Sequence, residues 1–458
     1  MANTMQTSST LNGKTVADEV PTGKSLLWHI RERMKLRGMK NYFGTSRVLL
    51  AVFLTISVFN GGCGSKSGDT PLPHLPKKWT YMAYIGVNNN LSTPGLANLL
   101  EMQKIGSTEK VNIVVQARFS KQYTPSLPED KTHALRFYVR KITGSEVDLT
   151  QGVSIGDVNM AKPESLRDFI KWAVSNYPAE NYLLDISDHG DGWKESRKGA
   201  VEDDSTSPYS WLSLADLSTA VSDSGTRFNV ICYDACLMAQ YEVAFQFLGL
   251  CDYMVLSEEL VPGAGYPYDT ILAELVANPG MTSRQLSELT VDKYYEFYNK
   301  PENKDNGTLS AVDMSKVSGL DQKIKDLAAS LIQNPENSVI VSAQDSTQYY
   351  AYPPYNYLMY RYYDIKNFCD YLANNLTNPD SKAKAQAVSA YLASSSIIMK
   401  NIYISTAKKS EDGSNGLSFF IPTKAQTTSS ELDKYKTILC NIAENTWADF
   451  VRKYISEI

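Results

Sequence analysis

A chain of 458 residues is long enough for one large or two ordinary domains with full hydrophobic cores. Its residues are 43% hydrophobic and 21% charged, as in a globular protein, and a net charge of −5 excludes the basic surface of a nucleic-acid binder. Tyrosine is abundant, with 29 residues, many of them between Tyr349 and Tyr363, a pattern that reflects packing at an interface or groove more than any one activity.

The first sixty residues read as no part of the fold. Lys35, Arg37, Lys40 and Arg47 precede the apolar run 48–59, VLLAVFLTISVF, and Asn60-Gly61-Gly62-Cys63 follows it. A basic stretch, a short apolar core and small residues before a cysteine resemble a bacterial lipoprotein export signal, too short to span a membrane comfortably. The resemblance implies that Cys63 is lipidated and becomes the mature N-terminus; an ordinary signal peptide or short anchor is the alternative. Asn60 departs from the pattern, since such signals usually carry an aliphatic residue there. Residues 1–33 have no signal character, so they read as an upstream or mis-assigned start, with Met34 or Met39 as the first residue. That leaves 34–62 as the signal and 63–77 as a tether, proline-rich in its TPLPHLPKK portion. The expected location is the bacterial cell envelope, exported and membrane-anchored.

Residues 79–87, WTYMAYIGV, form a buried strand candidate, followed by helical spacing over 91–105 and a second strand over 111–119. Residues 133–141 alternate like an edge strand or hairpin arm. Pro163 opens a strong helix to residue 177, with Leu166, Phe169, Ile170, Ala173 and Val174 on one face. The apolar run that ends at His189 follows, then a helix over 212–222, then the run 228–237, FNVICYDACL. A helix over 238–248 and a strand over 253–256 complete the series. Strand, helix, strand in this order predicts an α/β fold with right-handed crossovers and a mainly parallel sheet covered on both faces. Beyond residue 278 the pattern turns helical (283–298, 320–332, 365–376, 383–394), with short strands at 307–312 and 417–421. The division expected is a catalytic domain over 78–278 and a helix-rich C-terminal domain over 279–458.

Parallel sheets place their chemistry beyond the carboxyl ends of the strands. Two runs there end on reactive side chains, His189 in DISDHGDGW and Cys236 in CYDACL. Of four histidines, only His189 sits at a strand end among glycines and aspartates. An imidazole and a thiol at one sheet edge make a general base and a nucleophile. Gly190 and Gly192 allow a sharp turn, and the amides of Gly190 and Cys236 are candidate oxyanion donors. A helix starting at Met238 would favour the Cys236 thiolate. Asp234, two residues before Cys236, shares its face if the strand runs that far, and could hold a cationic substrate side chain. Two other readings stay open on these residues. Asp185, Asp188, His189 and Asp191 could form a hydrolase metal site, although the chain is poor in nitrogen and sulfur ligands. Alternatively, Cys236 is a structural cysteine in an idle surface lipoprotein that binds peptide or glycan. Cys232, Cys251, Cys369 and Cys440 sit in apolar settings and suggest no disulfide framework.

HGDGW at 189–193, DAC at 234–236, SEELVPGAGY at 257–266, NGTLSAVDMSKV at 306–317 and NGLSFFIP at 415–422 together resemble the clostripain family of cysteine peptidases. The resemblance spans most of residues 78–458 and implies a caspase-like α/β/α sandwich, with His and Cys ending adjacent parallel strands. The separation of His189 from Cys236 is similar to the caspase spacing of about fifty residues. Carried over by position, His189 and Cys236 become the catalytic dyad and the Gly190 and Cys236 amides the oxyanion hole. Asp234 becomes the floor of a pocket for Arg or Lys at P1, with Glu258 and Glu259 as a second acidic wall. The chain is expected to be a monomer, and the resemblance further implies a zymogen, acting on peptides or proteins and cut between the catalytic strands, where Arg197 and Lys198 offer basic P1 residues. No cofactor is expected to be required. Some family members depend on calcium, for which Glu202, Asp203 and Asp204 are the candidate cluster.

Overall fold

The computed structural model describes residues 4–11, 14–21, 76–194, 200–206, 209–351, 361–394, 397–423, 427–439 and 445–458. The expected signal, Cys63, Arg197 and Lys198 lie outside the described residues. The chain divides into two units, Met1–Thr70 and Pro71–Ile458. In the first, Thr4–Leu11 pairs antiparallel with Lys14–Pro21, with Leu11 opposite Lys14. The first unit therefore contains a hairpin that its composition did not suggest. Its sequence signal was Asn12-Gly13, the dipeptide with the strongest preference for a two-residue hairpin connection.

In the second unit nine strands form one sheet: β1 (Lys77–Ile85), β2 (Val111–Ala117), β3 (Leu135–Tyr138), β4 (Val153–Ser154), β5 (Ala179–Ser187), β6 (Phe228–Asp234), β7 (Cys251–Leu256), β8 (Gly307–Asp313) and β9 (Ile398–Ile404). Their spatial order is β9-β8-β7-β6-β5-β1-β2-β3-β4. The five central strands, β7 to β2, are parallel, and antiparallel strands close both sides. Central strands buried on both faces need continuous apolar runs, which is what WTYMAYI and NVICY provide. Alternate residues serve opposite layers. Met82, Tyr84, Leu184, Ile186, Ile231 and Tyr233 enter one core, while Tyr81, Ala83, Leu183, Val230 and Cys232 enter the other. Ser92–Ile105, Tyr268–Ala277 and Ser283–Tyr298 cover the second face; Pro163–Asn176, Leu214–Ser224 and Val317–Gln333 are among the helices on the first. This is the three-layer, mainly parallel α/β arrangement the sequence predicts.

The helix-rich C-terminal half supplies β8 and β9, so the sheet runs across residue 278 and the division expected there falls within one layer. β9 escaped the sequence reading because it is an edge strand: IMKNIYI pairs on one side only and stays half-exposed, without a buried strand's apolar run. The tyrosine cluster is mostly interior among the described residues. Tyr350, Tyr362 and Tyr363 are buried, and Tyr349–Tyr350, Tyr362–Asp364 and Ser418–Phe420 form a small separate sheet. Among the described residues, no helix is long and apolar enough to cross a membrane.

Candidate active site

β1 leads to β2 on one side, whereas β5, β6 and β7 proceed to the other, so the chain reverses direction between β1 and β5. Open α/β sheets bind ligands at such a crevice, beyond the carboxyl ends of the strands. A cavity of about 190 Å³ occupies this position. Val87 and Leu91 line it from after β1, Asp188 and His189 from after β5, Asp234 from the end of β6 and Cys236 from just after it, and Val261 to Gly263 from after β7. His189, Cys236 and Asp234 thus share one cavity, although they come from two separate sequence motifs.

Gly190, Gly192 and Trp193 of HGDGW each have a local reason. A Cβ at Gly190 would lie 2.3 Å from the Cys236 carbonyl oxygen and 3.0 Å from its amide nitrogen, so only glycine lets the two strand ends approach this closely. Gly192 has φ +63° and abuts the Gln240 side chain, whose Oε1 accepts from the Trp193 amide at 3.1 Å. Trp193 is buried against Phe420 and Tyr435, with ring centroids 4.9 and 4.8 Å away. The aromatic anchor therefore fixes the far end of the turn that presents His189.

β6 stops at Asp234, and Leu237 is the one non-glycine residue with positive φ among the described residues (61°). This turn is held by Leu237 N–H donating to Glu259 O (3.2 Å) and Ala239 N–H donating to Ser257 O (2.8 Å). Strain of this kind persists only where the surroundings over-determine it. The following helix spans Tyr241–Gln246, six residues with Gln240 as its cap, not 238–248. The helix start predicted to favour the thiolate is thus displaced from Cys236, because the strained turn consumes the residues that would have begun it. A different donor serves the sulfur: the Val261 amide reaches Cys236 Sγ at 3.3 Å. Cys236 is partly exposed, whereas Cys232, Cys251 and Cys369 are buried, and burial pushes their thiols well above the ordinary range.

His189 Nε2 lies 2.7 Å from Asn90 Oδ1 and 3.9 Å from Glu202 Oε2. Asp188 accepts from Asn89 Nδ2 (2.7 Å) and the Glu202 amide (2.6 Å). Asn90 and Glu202 were not singled out as partners of the histidine; a run of three asparagines directly after a buried strand was the available signal. Asp234 is 5% exposed, and its Oδ2 accepts from the Tyr266 amide (3.0 Å) and the Tyr268 hydroxyl (2.8 Å). Beneath it Asp185, fully buried on β5, accepts from the Tyr81 hydroxyl at 2.7 Å. Burial raises both carboxyls, and the neighbouring Asp234 charge raises Asp185 further.

Glu258 and Glu259 do not form a second wall of this cavity. The chain bends after β7, where the Thr308 hydroxyl accepts from both of their amides. Glu258 turns inward and accepts from the Gly416 amide (2.9 Å), while Glu259 pairs with Lys409. Two of the acidic residues singled out for calcium, Asp203 and Glu202, are engaged within the protein. Asp203 is fully buried, accepting from Asn88 Nδ2, the Ser205 amide and the Met160 amide, with Arg118 3.8 Å away. Glu202 faces His189 instead. Likewise Asp185 and Asp188 of the alternative metal reading are engaged with Tyr81 and Asn89, and the described residues contain no cluster of three or more potential metal ligands.

The model of the clostripain family matches residues 83–454. The chain belongs to the clostripain family. It is therefore a cysteine peptidase, a hydrolase. It is 25% identical over 398 residues to clostripain of Hathewaya histolytica, covering 76% of this chain and 75% of that one. Two solved structures share the fold. An inactive zymogen C11 protease from Parabacteroides distasonis has a TM-score of 0.58 at 19% identity and covers 82% of this chain and 99% of its own. A secreted C11 cysteine protease from Bacteroides thetaiotaomicron has a TM-score of 0.59 at 17% identity, over 82% and 100%.

Proposed function

We propose that this peptidase cleaves peptide bonds after arginine or lysine, with Cys236 as nucleophile and His189 as its base. The observation that carries the reading is the shared cavity, in which a partly exposed thiol, an imidazole and a buried carboxylate meet. In the proposed reaction the Cys236 proton passes to His189 and the thiolate adds to the scissile carbonyl. The amides of Gly190 and Cys236 donate to the oxyanion. Collapse breaks the C–N bond as the imidazolium protonates the leaving amine. Water then hydrolyses the thioester, giving its proton to His189, and the thiol is restored. Asp234 would hold the P1 cation, and no metal or cofactor is required by these steps. Fluorogenic peptides that differ only at P1 test this reading. Turnover of the Arg and Lys substrates should exceed that of Asp and Ala by about 10²-fold or more. Equal turnover of all four would refute the specificity.

The same chemistry supports self-processing in the segment that contains Arg197 and Lys198, which joins Lys194 to Ala200 between the two catalytic strands. Intact mass should reveal two fragments from the wild type, cut after Arg197 or Lys198, and one uncut chain from Cys236→Ala. A single wild-type chain of full activity would end this part of the reading. Export and anchoring through lipid on Cys63 complete the proposal, on the strength of the signal-like sequence alone.

A further inference from the structure

We propose that Asn90 is a positioning residue for His189, fixing which ring nitrogen takes the thiol proton. The inference rests on the Cys236–His189 reading above. Asn90 Oδ1 lies 2.7 Å from Nε2. A carbonyl oxygen can only accept, so this contact selects the tautomer with its proton on Nε2 and assigns the basic role to Nδ1. The Glu202 carboxylate, 3.9 Å from the same Nε2, adds a negative charge on the side that must bear the imidazolium. After transfer from Cys236, the ring carries protons on both nitrogens; the Nε2 proton stays on the ring, hydrogen-bonded to Asn90 Oδ1, while the Nδ1 proton goes to the leaving amine.

The placement of Asn90 is built rather than incidental. Asn90 itself is exposed, but the buried Asn89 beside it locks the backbone, accepting from the Leu91 amide (2.8 Å) and donating to Asp188 Oδ1 (2.7 Å) and Glu202 O (3.0 Å). Asn88 donates to Asp203 Oδ1 at 2.7 Å. Asn88 and Asn89 thus tie the loop after β1 to both segments that flank His189, the residues directly before it and those at 202–203. A group held this way orients the imidazole at little entropic cost when the reaction begins.

Asn90→Ala, Asn90→Asp and Cys236→Ala test the inference, with kcat expressed per thiol titrated by a peptide-based alkylator for the two Asn90 variants and per folded chain for Cys236→Ala, and the melting temperature recorded for each. Asn90→Ala should lower kcat by about 10- to 100-fold with KM within about twofold of wild type. Asn90→Asp keeps an acceptor oxygen facing Nε2 and should recover most of the loss. A kcat for Asn90→Ala within twofold of wild type would overturn the inference. So would an equal loss in both variants accompanied by lowered melting temperatures, which marks a structural role. If Cys236→Ala keeps wild-type turnover, the dyad itself is wrong, an outcome distinct from either of these.

Discussion

Replacing Cys236 by alanine is expected to lower kcat by about 10⁴-fold or more while leaving the fold intact, because the proposed pathway loses its nucleophile and its thioester cannot form. The side chain is partly exposed and packs only against the edge of the core, so the melting temperature should change little. His189→Ala should fall to a similar level, since in the proposed dyad nucleophile and base act as one unit and their losses do not add. Gly190→Ala is the informative companion. Its new methyl group would meet the Cys236 carbonyl oxygen at 2.3 Å and force the two strand ends apart. Misplacing one oxyanion donor costs about 10²- to 10³-fold in kcat, so Gly190→Ala should approach the dyad variants while its thiol remains open to alkylation. Steady-state kinetics and iodoacetamide labelling of Cys236 read both effects. Wild-type rates in Cys236→Ala would exclude it as nucleophile, and wild-type rates in Gly190→Ala would remove the Gly190 amide from the oxyanion hole.

What could be read in advance depended on whether a residue's role is local. The central strands announce themselves because burial on both faces demands continuous apolar runs, and the helix from Pro163 carries both its start signal and its apolar stripe. His189 and Cys236 were legible because each interrupts such a run with a group that can do chemistry. Cys236's surroundings were not. The turn at Leu237 depends on hydrogen bonds to Ser257 and Glu259, more than a dozen residues away, and it displaces the helix that propensity places at 238. The same long-range bend turns Glu258 and Glu259 from the cavity toward Gly416 and Lys409, partners that no local pattern foretells. Asn90 was hidden for the opposite reason: asparagines after a strand read as ordinary turn residues until the topology sets β1 beside β5.

Asp234→Asn should separate binding from stability, moving the two in opposite directions. The proposed P1 pocket offers a cationic side chain one buried carboxylate, and removing the charge from a desolvated pair typically costs about 2–5 kcal/mol. The expected result is a fall in kcat/KM for Arg and Lys substrates of about 30-fold or more, with little change for an alanine substrate. Burial raises the Asp234 carboxyl, so it takes up a proton at a higher pH than the ordinary aspartate value of about 3.9. As pH falls through this raised value, the wild-type pocket should lose its charge and KM for Arg substrates should rise, whereas Asp234→Asn should show no such rise. The stability effect has the reverse sign. With the folded value above the unfolded one, the native state binds more protons across the interval, so the ionised carboxylate destabilises the fold as pH increases. Asparagine keeps an oxygen for the Tyr266 amide and the Tyr268 hydroxyl and also relieves Asp185 of a neighbouring charge. Asp234→Asn should therefore melt higher than wild type at pH 8, with the difference shrinking toward acid pH. Paired thermal melts and kcat/KM profiles from pH 5 to 8 check both halves. An unchanged preference for arginine in Asp234→Asn would place the specificity elsewhere, and a lower melting temperature at pH 8 would mean that the carboxylate is held for its hydrogen bonds and not for its charge.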